Sequence, residues 1–468
     1  IGEWRVFAPG HSASTYRKEI KIMNRLLKIS LILLGLIFSL MAFSSDIDHD
    51  LGWHLRFGQD AWNGHFQYLD TYTWAHNLKP WINHEWGTDV LVWPVFKYIG
   101  YLPILFFYSL IAWLAFIFIN KIYLPCITFS GLLFSFLAIF SISPILVPRP
   151  AVFLLPFLVI ILWTLERAPE KRLFYLWPPA IWLWSILHGS WIFGFIVINI
   201  FVFGQIAQIL LKKYFNWQEN KTWQWIDVKH AIFWQALSFI ILVLNPYGTK
   251  IWLEAMEYLT KSYFKLHITE WVPSYVFPVF WLPLVISTIG GVLIICAWRK
   301  KRANLAQVLV YLAFFYAAWK YKRNMVLPVL ICIPLFTVTW EYIKKELSEK
   351  TPSTSSGQGK ILFILNHRIL LIIRFCFFVS ILVLGMNYFL RINWENNPWE
   401  NKQFMYYQIH FPYEAAEVLK KEIGDKKIPI FNEFSWGAYL NWTMPNALVF
   451  LDGRGTATWM WSDNITAL

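Results

Sequence analysis

The sequence predicts a mainly α-helical, polytopic membrane bundle that ends in a small α/β unit. Three observations predict it. Of the 468 residues, 57% are hydrophobic and only 15% charged, which is too apolar for a soluble domain. Apolar runs of spanning length recur from residue 23 to residue 390, as a repeatedly crossing chain requires. Beyond residue 391 that pattern breaks, and short helix-like and strand-like stretches alternate.

Taken in order, residues 1–22 carry no clear pattern and read as a disordered extension outside the fold. Met23-Asn24-Arg25 leads into an apolar run to Ser44. With no convincing cleavage site before Asp46, the run reads as a retained first helix and not a cleaved signal. Residues 45–98 form a long polar loop. Apolar segments follow at 102–120, 125–144, 150–166, 173–188, 189–211, 230–245, 278–298, 303–319, 324–342 and 368–390. With the first, these make about eleven spans in a transmembrane domain of residues 23–390, the shorter ones marginal for a hydrocarbon core.

Basic residues orient the bundle. Lys121, then Arg167, Lys171 and Arg172, then Lys212 and Lys213, then Arg299–Arg302, then Lys344 and Lys345 fall on alternate connections. Such connections are cytoplasmic. Residues 45–98, 246–275 and 391–468 then lie outside the cytoplasmic membrane. Residues 351–360 are low in complexity and read as a cytoplasmic linker. In the tail, a helix is expected over Tyr413–Ile423, a strand over Ile428–Phe431, a short helix over Ser435–Trp442 and a strand over Ala447–Leu451. The sequence stops soon after Asp452-Gly453-Arg454, so residues 391–468 read as an incomplete extracytoplasmic α/β domain.

The formal charge is +13, but the basic residues sit between apolar segments. That suits topology signals and anionic lipid, and argues against nucleic acid as a partner. The four cysteines, Cys126, Cys296, Cys332 and Cys376, all fall in apolar segments. They form no metal-ligand spacing and no disulfide framework.

The 45–98 loop crowds together Asp46, Asp48, His49, Asp50, His54, Asp70, His84 and Glu85. A spanning helix would not tolerate that density of ionisable groups. Leu51, Leu55 and Trp62 share one helical face, and Trp86, Val90, Trp93 and Phe96 another, so two amphipathic helices lying in the membrane interface are expected. Asp50 and His54 are four apart and share a helix face, and Asp50 stands where it would cap that helix. Further polar groups land on the same outer side: Arg149 in VPRP, His188 in LHGSW, Asn245 in NPYG, Glu270 in ITEW, and Lys320, Lys322 and Arg323 in KYKRN. Singly, each has a structural explanation, as a snorkelling cation, a packed histidine or a turn. On one side together, they predict an outward-facing polar cavity with Asp50, Asp48 and His54 as catalytic candidates. His84, Glu85, Arg149, His188, Glu270 and Arg323 are the substrate-binding candidates.

The loop resembles that of GT-C membrane glycosyltransferases, including the dolichyl-phosphate-mannose protein mannosyltransferase-like group. Asp50 matches the acidic position of the GT-C loop, Trp53-His54 its aromatic, Asn63-Gly64 its helix end and Asp70 its later acid, a further substrate-binding candidate. DLGWHLRFG, INHEW, RP, LHG, NPYG, EW, RN, FNEFSWGAYL and FLDGR are similar to motifs in a set of prokaryotic polytopic membrane proteins of this architecture, over most of the chain from residue 30. One departure is Asp48-His49-Asp50 in place of an adjacent Asp-Glu pair.

Transfer from a polyprenyl-phosphate sugar needs a carboxylate to deprotonate the acceptor hydroxyl and cations to hold the leaving phosphate. Asp50, ahead of Asp48, is the expected base, and Arg149 and Arg323 the expected phosphate clamp, because arginine meets phosphate oxygens with a planar fork. The implied partners are a polyprenyl-phosphate-linked donor, a glycan, lipid or protein acceptor, and membrane lipid. No cofactor is required. A divalent metal on Asp48, Asp50, His54, His84 and Glu85 is the alternative, but no zinc-site spacing supports one. A transporter or lipid-handling protein, and a polymerase or ligase of lipid-linked glycans, are rival functions. Trp436, Tyr439 and Trp442 near Asp452 and Arg454 suit acceptor sugars or, equally, a core aromatic set with a structural ion pair.

Overall fold

The computed structural model describes residues 13–43, 47–215, 222–260, 269–350, 411–424 and 426–454. Among these, seven helices are long and apolar enough to cross a membrane: Arg25–Phe43, Leu102–Ile122, Pro150–Ala168, Gly189–Tyr214, Trp225–Leu244, Pro278–Arg299 and Lys322–Leu347. Three shorter apolar helices, Phe129–Ile145, Leu173–Leu187 and Leu305–Lys320, lie between them. Together they fall on the first ten expected spans. The expected span at 368–390 and the linker at 351–360 lie outside the described residues, as does Asp46.

The first helix, α1 (Ala13–Phe43), starts ahead of Met23, so residues 13–22 are helical and not a disordered extension. It packs on α4 (Leu102–Phe118). Trp113 Nε1 donates to the Ile32 carbonyl at 2.8 Å, and a Cβ at Gly35 would come within 2.0 Å of the same indole, so that crossing requires glycine. Polar side chains tie the bundle together. Asn120, fully buried, donates to Ser135 Oγ at 3.1 Å in α5 (Phe129–Ile142) and accepts from Thr337 Oγ1 at 2.8 Å in the helix Val326–Lys350. Such bonds between helices contribute about 0.6–2 kcal/mol each in a bilayer.

The helix α6 (Leu154–Lys171) connects the two ends of the bundle. Arg149 lies just before it, and buried Glu166 lies near its end, accepting Gln307 Nε2 on both carboxylate oxygens at 2.8 Å. At 1.5 Å per residue the two are roughly 25 Å apart along the axis. Gln307 also forms a reciprocal cap with Asn304 at the start of the helix Leu305–Lys320, with bonds of 2.8 and 2.9 Å.

The first loop contains two helices, α2 (Leu51–Trp62) and α3 (Trp86–Tyr98), packed against each other. The segment between them folds back, with Asp70 and Trp81 amides donating to the Lys79 and Tyr68 carbonyls at 2.9 and 3.0 Å. The tail follows expectation closely: a helix over Tyr413–Ile423, strand β1 (Ile428–Ile430), a short helix over Gly437–Thr443 and strand β2 (Ala447–Val449). β1 and β2 pair in parallel, Ile428 with Ala447. The tail sits on the first loop. Trp74 N donates to the Val449 carbonyl at 2.9 Å, and Val449 N to that of Tyr72 at 3.2 Å. Gly52 of α2 lies so close to Ala438 that a Cβ would come 2.0 Å from its carbonyl oxygen. Loop and tail therefore share one face of the bundle.

Candidate functional site

The site is built around His54, one turn into α2 and only 4% exposed. Its Nδ1 lies 2.6 Å from Asp89 Oδ1, and its Nε2 lies 3.4 Å from Glu85 Oε2 and 4.0 Å from Asp48 Oδ2. Asp89 is fixed from its other side by Asn83 Nδ2 at 2.7 Å, and Asn83 Oδ1 accepts from the Glu85 amide at 2.9 Å. The INHEW stretch thus turns tightly into α3, and Glu85 and Asp89, one turn apart, are aimed at α2. Burial alone would discharge His54, but Asp89, Glu85 and Asp48 outweigh it and lift its pKa to about 10. His54 is an imidazolium that donates to Asp89.

A second layer of residues comes from distant connections. His188 Nε2 lies 3.2 Å from Glu85 Oε1, and His84 Nε2 lies 3.7 Å from it. His188 Nδ1 accepts from the Ser190 amide at 3.1 Å, which leaves the proton on Nε2, directed at Glu85. Burial, then the charges of His84, Arg323 and Arg149, hold His188 well below the ordinary histidine value, so it is neutral. His84 Nδ1 meets Glu254 Oε1 at 2.8 Å. Burial opposes its charge, but Glu254 and Glu85 raise it to about 9. Gly189 permits this approach, since a Cβ there would lie 2.7 Å from His84 Cδ2.

Arg149 and Arg323 flank the same place. Both meet Glu270, Arg149 Nη1 at 2.5 Å from Oε1 and Arg323 Nη1 at 3.6 Å from Oε2. Arg323 also lies over the Trp271 ring at 4.8 Å. The Arg149 charge acts on both Asp48 and Asp50. Asp48 is 5% exposed. Burial and the neighbouring Asp50 raise its carboxyl to about 7, against the pull of His54 and Arg149. A carboxyl that exchanges its proton near neutrality suits a general base.

Comparison with family models and with curated proteins finds no match to this chain.

The geometry therefore joins Asp48, His54, His84, Glu85 and His188, all expected from the sequence, into one largely buried network, and sets the equally expected Arg149, Glu270 and Arg323 beside it as a partly exposed ion triad whose charge reaches Asp48 and His188. Two of its members were not expected: Asp89 and Glu254. Asp89 is followed directly by the apolar Val90, Leu91 and Val92, although an acid four residues after Glu85 was a usable signal. Glu254 sits in the helix Lys250–Thr260, which the span count had passed over.

Three expectations need correction. Asp50 occupies the N-cap position of α2, but its side chain makes no cap bond, and its backbone amide donates to Asp48 Oδ1 at 3.3 Å. His54 is held by Asp89, Glu85 and Asp48, with Asp50 not among its ion-pair partners. Asp70 lies apart from the network. It meets Arg454 Nη2 at 3.1 Å and accepts from Thr73 Oγ1 at 2.6 Å. Among the tail aromatics, Trp442 packs on Trp93 of α3 with ring centroids 5.4 Å apart, and Tyr439 is 1% exposed, so these two belong to the core. Among the described residues no group of three His, Cys, Asp or Glu side chains has metal-holding geometry.

Proposed function

We propose that this chain is an inverting membrane glycosyltransferase, moving a sugar from a polyprenyl-phosphate donor to an acceptor on the outer face of the cytoplasmic membrane. One observation carries the reading. A buried carboxyl poised near neutrality, Asp48, feels the charge of Arg149, which shares the Glu270 carboxylate with Arg323. Such a transfer needs a base for the acceptor hydroxyl and cations for the leaving phosphate.

In the proposed step the acceptor oxygen attacks the anomeric carbon as the bond from that carbon to the phosphate oxygen breaks. The acceptor proton passes to Asp48, and the lipid phosphate departs toward Arg149 and Arg323. His54, held charged by Asp89, keeps Asp48 from taking up its proton too early, because a nearby cation favours the carboxylate. Neutral His188 and charged His84 orient Glu85, whose carboxyl burial pushes up. Asp48 takes the base role in preference to Asp50 because it is the more deeply buried of the two and lies beside His54.

The test is transfer of a labelled sugar from polyprenyl-phosphate donors in proteoliposomes holding the purified chain. Time-dependent appearance of a glycosylated acceptor supports the reading. Movement of donor lipid between leaflets with no transferred sugar would favour a lipid-handling function instead.

A further inference from the structure

A second buried ion cluster lies beside the first, where the tail meets the loop. Arg454 exposes 1% of its side chain. Its Nε lies 2.9 Å from both oxygens of Asp452, and its Nη2 lies 2.6 Å from Asp452 Oδ2 and 3.1 Å from Asp70 Oδ1. The guanidinium sits between two loop aromatics, 4.4 Å from the Trp81 ring centre and 4.8 Å from that of Tyr72. Asp452 is fixed in turn by Asn441 Nδ2 at 2.8 Å. One cation from the tail thus bonds a tail acid and a loop acid and stacks on two loop rings. Arginine suits this, because its planar fork serves two carboxylates while its faces take aromatic contacts.

The consequence falls on the residue between them. Gly453 is pressed against Asp50 so closely that a Cβ there would lie 1.7 Å from Asp50 Oδ1. Asp50 opens α2, and its carbonyl accepts from the His54 amide at 3.2 Å. The Asp452-Gly453-Arg454 turn therefore bears directly on the start of the helix that carries His54.

We infer that Arg454 is a positioning residue that latches this tail turn over Asp50, making the C-terminal tail an integral part of the catalytic site. The inference rests on the proposed transfer for its kinetic consequence, while the latch stands on its own geometry. The tail does not need to touch substrate. It fixes the Asp50 carboxylate and the register of α2, and through them the distance from Asp48 to His54.

The experiment uses the full chain in detergent micelles, with hydrogen exchange followed by mass spectrometry and transfer kinetics on the same preparations. Arg454→Ala removes the shared cation. It is expected to speed exchange of the Trp74 and Val449 amides about tenfold or more, since both bond across the joint. It is also expected to lower kcat about tenfold or more while leaving the donor KM within about twofold, the signature of lost positioning. Gly453→Ala keeps the ion cluster and disturbs only the contact with Asp50. It should lower kcat with exchange of those amides near the wild-type rate. Unchanged exchange in Arg454→Ala would overturn the latch, and wild-type kcat in Gly453→Ala would overturn its link to the site. If the wild-type chain transfers no sugar, the proposed function fails, and the exchange measurement alone decides whether the latch exists.

Discussion

Two buried ion clusters share the first loop, and the difference between them is the cation at the centre. In one, histidines link Asp48, Glu85, Asp89 and Glu254. In the other, an arginine links Asp70 and Asp452. Surrounding acids hold His54 and His84 charged up to about 10 and about 9, while an arginine keeps its charge at any working pH. The acids follow suit. Asp48 is lifted to about 7 by burial and by Asp50. Asp70 is buried too, but Arg454, the neighbouring His76 and hydrogen bonds from the Thr73 hydroxyl and the Tyr72 amide drive it well below the carboxylate range. Identical side chains on one loop are therefore tuned apart by their partners. One cluster exchanges protons, and the other holds the joint between loop and tail.

The largest expected effect separates the clusters by chemistry. Asp48→Asn keeps the shape of the side chain but cannot accept a proton, so kcat should fall by a factor of about 10²–10⁴, with the Trp74 and Val449 amides still protected. Asp50→Asn should cost less. A larger loss in Asp50→Asn than in Asp48→Asn, measured side by side, would return the base role to Asp50.

Next comes the arginine pair. Arg149→Ala should lower kcat/KM by about 10²–10³, the usual cost of removing a donor aimed at developing charge. Arg149→Lys should recover only part of this because the planar fork is lost. Full activity in Arg149→Lys would show that charge alone is required there.

The histidines predict a dependence of stability on pH. His84 and His54 are raised in the folded chain to about 9 and about 10. Their ion pairs thus stabilise fully below the unfolded histidine value of about 6.5 and weaken as pH rises through about 9 and then about 10. The unfolding temperature in detergent should fall over that window, and His84→Ala should flatten the earlier part of the fall. No change in slope would mean that His84 is not charged in the folded chain.

The smallest expected effect on transfer lies at the far end of the bundle. Gln307→Ala leaves the buried Glu166 carboxylate without its two bonds from that amide, which should cost about 1–3 kcal/mol of stability. Transfer measured below the unfolding temperature should stay within about twofold. A large kinetic loss would mean that the two ends of the bundle are coupled.

Much of this arrangement was legible in the sequence, for physical reasons that also explain the gaps. Spanning segments announce themselves because a bilayer demands long apolar runs, and the tail elements because strand and helix periods differ. Arg149, His188, Glu270 and Arg323 could be gathered from afar because polar groups at span ends must share a side once topology is fixed. Asp89 was lost because its neighbours Val90, Leu91 and Val92 are apolar, and sequence pattern does not show that a helix end turns inward. Asp70 was placed with the site residues by its match to the later acid of the GT-C loop, and the sequence around it does not show its partner, Arg454, which is remote along the chain. Pattern marks a residue as buried and ionisable, but only the tertiary contact shows whether its partner can give up a proton.

The most direct measurement is the pH dependence of kcat for sugar transfer in proteoliposomes, compared among the wild-type chain, Asp48→Asn and Gly453→Ala. The wild-type rate should rise with pH through about 7, as Asp48 loses its proton. Asp48→Asn should keep a residual rate without that rise, and Gly453→Ala should show a rise at the same pH but to a lower plateau. If the rise near pH 7 persists unchanged in Asp48→Asn, Asp48 is not the base and the division between the two clusters fails.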